Sequence, residues 1–293
     1  MPTSGSLDLI SRDGDVAQLD PLRLCQFLLD ECQKQGVTVH QPAKAVTVVK
    51  NADGILSGVT ILKDAIESES MYEPSITRFV SRSKTDISVP CTRLVICAGA
   101  WSPRVFSELF PSAPIKIPVT ALAGHSLLLR SSRWTKEHQS NGCHAVFATD
   151  MEGFAPEIFS RREEQIYIAG LNSTTMPLPE LASDATPIPE CIESLKRAST
   201  QMLGKLEQPD SLQVVRESLC FRPVTATGRP IISRISNRHL GDKLTEENAR
   251  SGVFLASGHG AWGISQSLGS GLVLSEIMDG KATSANIVAL GLR

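Results

Sequence analysis

Gly258-His259-Gly260-Ala261-Trp262-Gly263 is the stretch of this sequence whose residue types and spacing could do chemistry most directly. An apolar run, Gly252–Ser257, leads into it, and a helical pattern leaves it at Ile264. Strand, G-x-G-x-x-G and helix in that order form the fingerprint of a dinucleotide site. The context here argues against that use. A dinucleotide unit needs a second parallel strand and an acid for the ribose roughly 20 residues on. The helical pattern instead stops at Asp279-Gly280, and the sequence continues only to Arg293. The physics of the turn survives. Glycines let backbone approach a ligand closely, and the N–H groups that start a helix carry partial positive charge. An anion or an electron-rich ring suits such a place. The pyrimidine edge of a flavin, negative near N1 and the C2 carbonyl when reduced, is a candidate. A tight strand-to-helix turn that simply needs small residues is the other reading.

A second bend has the same character. Arg93–Cys97 reads as a short buried strand ending in Ala98-Gly99-Ala100-Trp101-Ser102-Pro103, followed by a helix to about Phe110. A side chain at Gly99 would block close approach of the backbone to a ligand. Other chemical residue types are less promising. Cys143-His144 puts two metal-ligand types side by side but lacks companions, so no metal site is expected. Arg161-Arg162 reads as a charged pair at a solvated turn between strands. Seven cysteines, odd in number and without a C-x-x-C pair, fit reduced thiols in a cytoplasmic setting.

The elements that must hold these bends can be read from punctuation and period. After a loose polar start, Asp20 can cap a helix, Pro21 suits its first turn and Gly36 stops it. Leu24, Leu28 and Cys32 share one face of that helix, with Cys25 and Leu29 beside them. Strands are expected at 37–40, 45–49 and 58–62. Residues 64–86, rich in Ser, Glu and basic residues, read as a surface insertion or hairpin. From Ile115 to Ala169 short strands alternate with turns, as in an antiparallel sheet. A helix from Pro189 to Lys205 repeats Ile192, Leu195, Ala198 and Met202 on one side. Strand-like runs follow at 213–221 and 230–233. The closing helix, Gly263–Asp279, is expected to face inward with Ile264, Leu268, Leu272 and Ile277. The composite is α/β at both ends with a sheet-rich block between, one domain interrupted by another.

Bulk properties exclude several classes. Across 293 residues, 41% apolar and 20% charged content is that of an ordinary globular protein with room for a sizeable core. A formal net charge of −2 gives no reason to expect a nucleic acid or an anionic membrane as partner. No run is long and apolar enough for a membrane span, and neither end carries a recognisable targeting signal.

Several blocks together resemble one family, the D-amino-acid oxidase and glycine/sarcosine oxidase superfamily of FAD-dependent oxidoreductases, and within it a eukaryotic branch. Gly252–Gly280 is similar to that family's closing strand, GHG-type loop and helix. Leu219-Cys-Phe-Arg-Pro-Val-Thr-Ala-Thr-Gly-Arg-Pro230 is similar to its RP-x-T-x-DG-x-P stretch, and Leu94–Trp101 to its strand ending in AxGaw. Asp20–Val49 resembles its DP helix followed by strands. The resemblance implies an α/β fold of mixed type: an incomplete FAD-binding Rossmann-like domain interleaved with an antiparallel-sheet substrate domain. Residues 1–63 and 87–112 would be FAD-binding segments, 113–222 the substrate-binding domain, and 223–293 the last FAD-binding segment.

The same resemblance assigns roles. Arg222 would clamp a substrate carboxylate, unless it makes an ordinary ion pair. His259 would sit against the flavin, either lending positive charge or simply hydrogen-bonding. Gly258, Gly260, Trp262, Gly263 and Ile264 would contact the ring, with Trp262 flanking it or filling core. Ala98, Gly99 and Trp101 would line the cofactor between pyrophosphate and ribityl chain, and Val46 would offer its backbone to adenine. Cys220 aligns with a position that carries a covalent flavin in some relatives, although non-covalent FAD is the favoured expectation.

The implied reaction is oxidation of the C–N bond of an amino acid or secondary amine by hydride transfer to flavin. The sequence also departs from the family, since nothing before Asp20 supplies a strand, a G-x-G-x-x-G loop and a helix for the ADP half. An N-terminally truncated form is therefore expected, inactive alone, with neighbouring strands and an apolar face left open. Two alternatives stand beside it: a flavin dehydrogenase with an acceptor other than oxygen, and a non-catalytic scaffold that keeps the fold.

Overall fold

In the computed structural model, residues 8–11, 17–64, 84–149, 153–203, 205–206, 208–209, 212–245 and 251–292 are described. Asp20 opens α1 (Pro21–Lys34), its carboxylate accepting from the N–H of Leu22 and Arg23 at 2.9 and 3.1 Å. Gly36 leaves the helix at φ +85°, the left-handed conformation that glycine adopts without strain. Residues 37–40, expected as a strand, form no strand; the Val37 N–H instead donates back to the Cys32 carbonyl at 3.0 Å. Pro42 lacks a ladder donor, and pairing starts after it with β1 (Ala43–Lys50). β2 (Leu56–Asp64) and β3 (Lys84–Pro90) complete an antiparallel sheet in the order β1-β2-β3. Of the segment expected as an insertion, residues 65–83 lie outside the described residues; Asp64 and Lys84 on either side of them are paired.

β4 (Arg93–Ile96) and α2 (Ser102–Leu109) follow. The middle of the chain gives β5 (Thr120–Arg130), α3 (Lys136–Ser140), β6 (Ala145–Phe147), β7 (Glu157–Arg161), β8 (Gln165–Ser173) and α4 (Pro189–Leu203). After the short pair β9 (Lys205–Leu206) and β10 (Gln208–Pro209) comes β11 (Gln213–Val224). β12 (Ile231–Ile235), α5 (Asn237–Leu240), β13 (Gly252–Ser257) and α6 (Gly263–Met278) close the chain.

These elements form two compact units. The first takes residues 1–37, 124–172 and 181–220. It holds most of the five-stranded sheet β11-β5-β8-β7-β6. α4 buries Ile192, Leu195 and Ala198 as its period predicts, while Met202 stays 37% exposed at its end. The core joins Leu127, Leu129, Ile158, Ile166 and Ile168 to Ile192 and Leu195. α1 belongs to this unit, although the sequence reading places it with the FAD-binding segments. An ion pair of 2.7 Å between Asp20 and Arg161 ties its start to β7.

The second unit takes residues 38–123, 173–180 and 221–293. It carries the β1-β2-β3 sheet and a second sheet of order β12-β13-β4, in which β13 runs antiparallel to β12 and parallel to β4. Leu56, Ile96, Phe106, Ile235, Val253 and Leu255 meet in its main core. On the other face of the second sheet, Val273 and Leu274 of α6 pack with Ile232 and Phe254.

That packing corrects the expected orientation of α6. Its buried side is Ser270, Val273 and Leu274 with Ile277 half-buried beside them, whereas Ile264, Leu268 and Leu272 are 46%, 60% and 53% exposed. The helix has apolar residues on both sides, Ile264, Leu268 and Leu272 at i, i+4, i+8 on one and the cluster Val273, Leu274 and Ile277 on the other, and the longer series is the exposed one. The mixed α/β fold with antiparallel sheets is as expected.

Candidate functional site

The second unit brings the two glycine bends together. Because β4 and β13 are parallel and in register from Arg93↔Gly252 to Ile96↔Leu255, both strands end at the same edge of the sheet. The carboxyl ends of parallel strands are where such folds bind ligands. Ser257, the last residue of β13, donates its Oγ proton to the Gly99 carbonyl oxygen at 2.9 Å and so ties one bend to the other. Gly99 has φ +55° and Gly258 φ +90°, values that L-residues rarely adopt. A Cβ at Gly258 would also lie 2.6 Å from Thr225 Cγ2, so that position is glycine for space as well as for angle. A Cβ at Gly99 would meet nothing within 4 Å; the bend has open space over it.

Trp101 is fixed from two sides. Its Nε1 donates to the Pro179 carbonyl at 2.9 Å, and its ring meets Phe221 edge-on at 6.2 Å. One helical turn on, Arg104 donates to the carbonyls of Leu178, Pro179 and Glu180 and pairs with the Glu180 carboxylate at 3.1 Å. Segment 173–180 is thereby clamped beside the Trp101 bend. Ser102, the first residue of α2, is fully buried, and its Oγ has no hydrogen-bond partner among the described residues.

Arg222 lies on β11 between residues that touch both bends. Phe221 before it meets Trp101, and Val224 and Thr225 after it lie against Gly260 and Gly258. Arg222 and Val224 share a strand face by the period of two. The Arg222 side chain is half-buried and has protein partners.

His259 is half-buried, with its Nε2 2.8 Å from Ser270 Oγ. Burial lowers its pKa from the ordinary 6.5, so at neutral pH the ring is uncharged. Its imidazole is hydrogen-bonded to Ser270. α6 begins beyond it, with Gly263 as its first residue. Trp262 is 63% exposed, so it does not fill core.

Val46 turns out to be the extra residue of a β-bulge: Ala45 pairs with Ile61 and Thr47 with the adjacent Thr60, leaving Val46 opposite no residue of its own. A bulge frees backbone groups from the ladder, which is what a backbone contact to a ligand requires. Cys220 falls in the first unit, exposed, its thiol 3.8 Å from the Gly124 carbonyl oxygen. Ser257, Ser102 and Arg104 were missed by sequence reasoning. The signals available were a hydroxyl closing the strand before Gly258 and an arginine one turn after Trp101.

A parallel strand pair ending in two coupled glycine bends is the kind of place where α/β folds hold a ligand. The chain belongs to the DAO family, described as FAD dependent oxidoreductase, whose profile matches residues 9–277. It is 31% identical to a candidate oxidoreductase of Schizosaccharomyces pombe over 92% of this chain and 62% of that protein. With TDA3, a candidate oxidoreductase of Saccharomyces cerevisiae, identity is 24% over 94% of this chain and 50% of the other. The chain therefore spans half to three fifths of the length of these curated relatives. Among solved structures, glycine oxidase from Geobacillus kaustophilus is similar in fold, with a TM-score of 0.64 at 16% identity, over 92% of this chain and 57% of that one.

The residues present fit the flavin side of the cofactor. Gly99 has open space over it, Ser102 keeps an orphaned hydroxyl, and α6 starts at a glycine turn beside them. Among the described residues no helix is long and apolar enough to cross a membrane.

Proposed function

We propose that this chain is the flavin-facing and substrate-binding part of an oxidase of amino acids or secondary amines, and that a strand–G-x-G-x-x-G–helix unit outside these 293 residues holds the ADP half of FAD. The observation carrying the redox reading is the Ser257–Gly99 hydrogen bond, which joins the two glycine bends at one sheet end beside the strand of Arg222. FAD, when bound, supplies the two-electron acceptor for the carbon beside the substrate nitrogen. The protein's share is positional and electrostatic. Arg222 offers its guanidinium to a substrate carboxylate and so fixes which C–H bond faces the ring. The start of α6 favours negative charge at the pyrimidine edge. Neutral His259, braced by Ser270, adds a hydrogen-bonding group without charge. Ala98, Gly99 and Trp101 line the ribityl side, and the Val46 bulge offers backbone to adenine.

The incomplete-domain part of this reading is supported by exposed surface. β4 pairs only with β13 among the described strands, and α6 shows Ile264, Leu268 and Leu272 to solvent. A sheet edge and an apolar helix face in one unit are what a neighbouring strand and helix would cover. The test extends the reading frame upstream of Met1 and expresses the longer protein. The expected result is a yellow protein bleached anaerobically by N-substituted glycines or amino acids. A longer protein that carries flavin but is bleached by none of them would overturn the substrate class. One that carries no flavin would overturn the redox reading.

A further inference from the structure

The first unit contains a cavity that the flavin reading leaves unused. It has a volume of about 430 Å³ and is lined by Arg23 of α1, Arg161, Arg162 and Glu163 of the β7–β8 turn, Arg216 of β11 and the helix cap Asp20. Four guanidiniums face two carboxylates, in a chain whose overall charge is −2. The surplus is local. Asp20 is already engaged, since one oxygen takes the N–H groups of Leu22 and Arg23 while the other takes Arg161 at 2.7 Å. Arg161 is held further by its position 5.9 Å over the Tyr167 ring. Arg23, Arg162 and Arg216 have no acidic partner among the described residues.

The turn that presents two of these arginines is unusual. Glu163 and Glu164 both have positive φ, 64° and 57°, although neither is glycine. Positive φ at successive residues is the geometry of tight β-hairpin turns, whose twist matches the flanking strands. The tight reversal keeps Arg161 paired across the ladder with Gln165 and leaves Arg162 at the turn.

We propose that this cavity binds a small polyanion bearing two neighbouring oxyanion groups, a diphosphate or a polycarboxylate. Guanidinium forks match both groups bidentately, and the cavity size suits a small metabolite. Arg161, braced by Asp20 and Tyr167, is the fixed wall; Arg23, Arg162 and Arg216 supply charge that no ion pair among the described residues engages. Lining of this polarity does not suit an apolar ligand.

The experiment is calorimetric titration of the 293-residue protein with sodium pyrophosphate and, separately, citrate, at low and high sodium chloride. The expected result is one saturable site per chain for at least one of the two anions, weakening steeply with salt. The R162Q/R216Q double variant should weaken it at least tenfold, and Lys281→Gln, a charge change in the other unit, should not. Pyrophosphate binding without citrate binding assigns a phosphoryl ligand; citrate binding as tight or tighter assigns a polycarboxylate. No saturable binding of either, or equal affinity in the double variant, overturns the site. If the double variant melts early, Arg23→Gln alone serves, with a loss of threefold or more expected and an unchanged affinity overturning the proposal.

Discussion

Arg222 sits on β11 between Phe221, whose ring meets Trp101, and Val224, which shares its strand face and lies beside Gly260. If it clamps a substrate carboxylate, Arg222→Ala in the flavin-loaded protein should raise KM for a carboxylate amine roughly 10- to 100-fold. That follows from the ~1.5–3 kcal/mol of a charged hydrogen bond. KM for a neutral amine should barely move, and equal effects on both would remove Arg222 from substrate binding. His259 makes a different prediction. Burial lowers its folded pKa below 6.5, so in the acid range the unfolded chain binds more protons than the folded one. Its contribution to stability is complete above about 6.5 and is lost as pH falls toward the folded value. Denaturant melts from pH 7.5 to 5 should show this decline, and His259→Gln should flatten it. A variant that keeps the full wild-type slope would assign the decline to other groups. At this scale glycines were legible from type alone. The Val46 bulge was not, because a bulge depends on how the partner strand counts.

The elements were read well where one residue fixes the backbone. Asp20, Pro21 and Gly36 bounded α1 because a cap, a fixed φ and a left-handed residue act locally. The strand expected at 37–40 was misread because β-like residues need a partner, and pairing begins only beyond Pro42. In α6 the error was of facing: with apolar residues on both sides, the sheet that packs against it makes the choice, and that is tertiary information. The exposed side can be probed through its glycines. Gly269 and Gly271 lie inside the helix, and a Cβ on either meets nothing within 4 Å. Gly269→Ala and Gly271→Ala should each stabilise this chain by ~0.5–1 kcal/mol in chemical denaturation. Gly258→Ala should instead destabilise it by ~1–3 kcal/mol, since φ is +90° and Thr225 is 2.6 Å away. A stabilising Gly258→Ala would mean the bend is not held as described.

At the scale of the molecule, the interruption of α/β segments by a sheet-rich block was legible from the order of periods along the chain. α1 groups with the first unit, where the Asp20–Arg161 ion pair, 141 positions apart in sequence, links its start to β7, a contact that the order of elements does not reveal. The division has a consequence for cofactor affinity. On the proposed reading, the glycine bends, the α6 start and the Ser102 hydroxyl serve the isoalloxazine and ribityl part of FAD, and the Val46 bulge serves adenine. In dinucleotide folds the pyrophosphate is normally held at a glycine loop and helix start of its own, and the ribose by an acid. Without those groups the ADP half adds little binding energy. This chain by itself should therefore bind FAD and FMN with affinities within about tenfold of each other, a difference under ~1.4 kcal/mol. Both should be weak, and quenching of flavin fluorescence on titration with protein measures them. Purified chain that arrives yellow with one FAD per molecule, or that prefers FAD by orders of magnitude, would place the ADP site inside these 293 residues. In that case the open β4 edge and the exposed α6 face would have to serve something other than the proposed nucleotide unit.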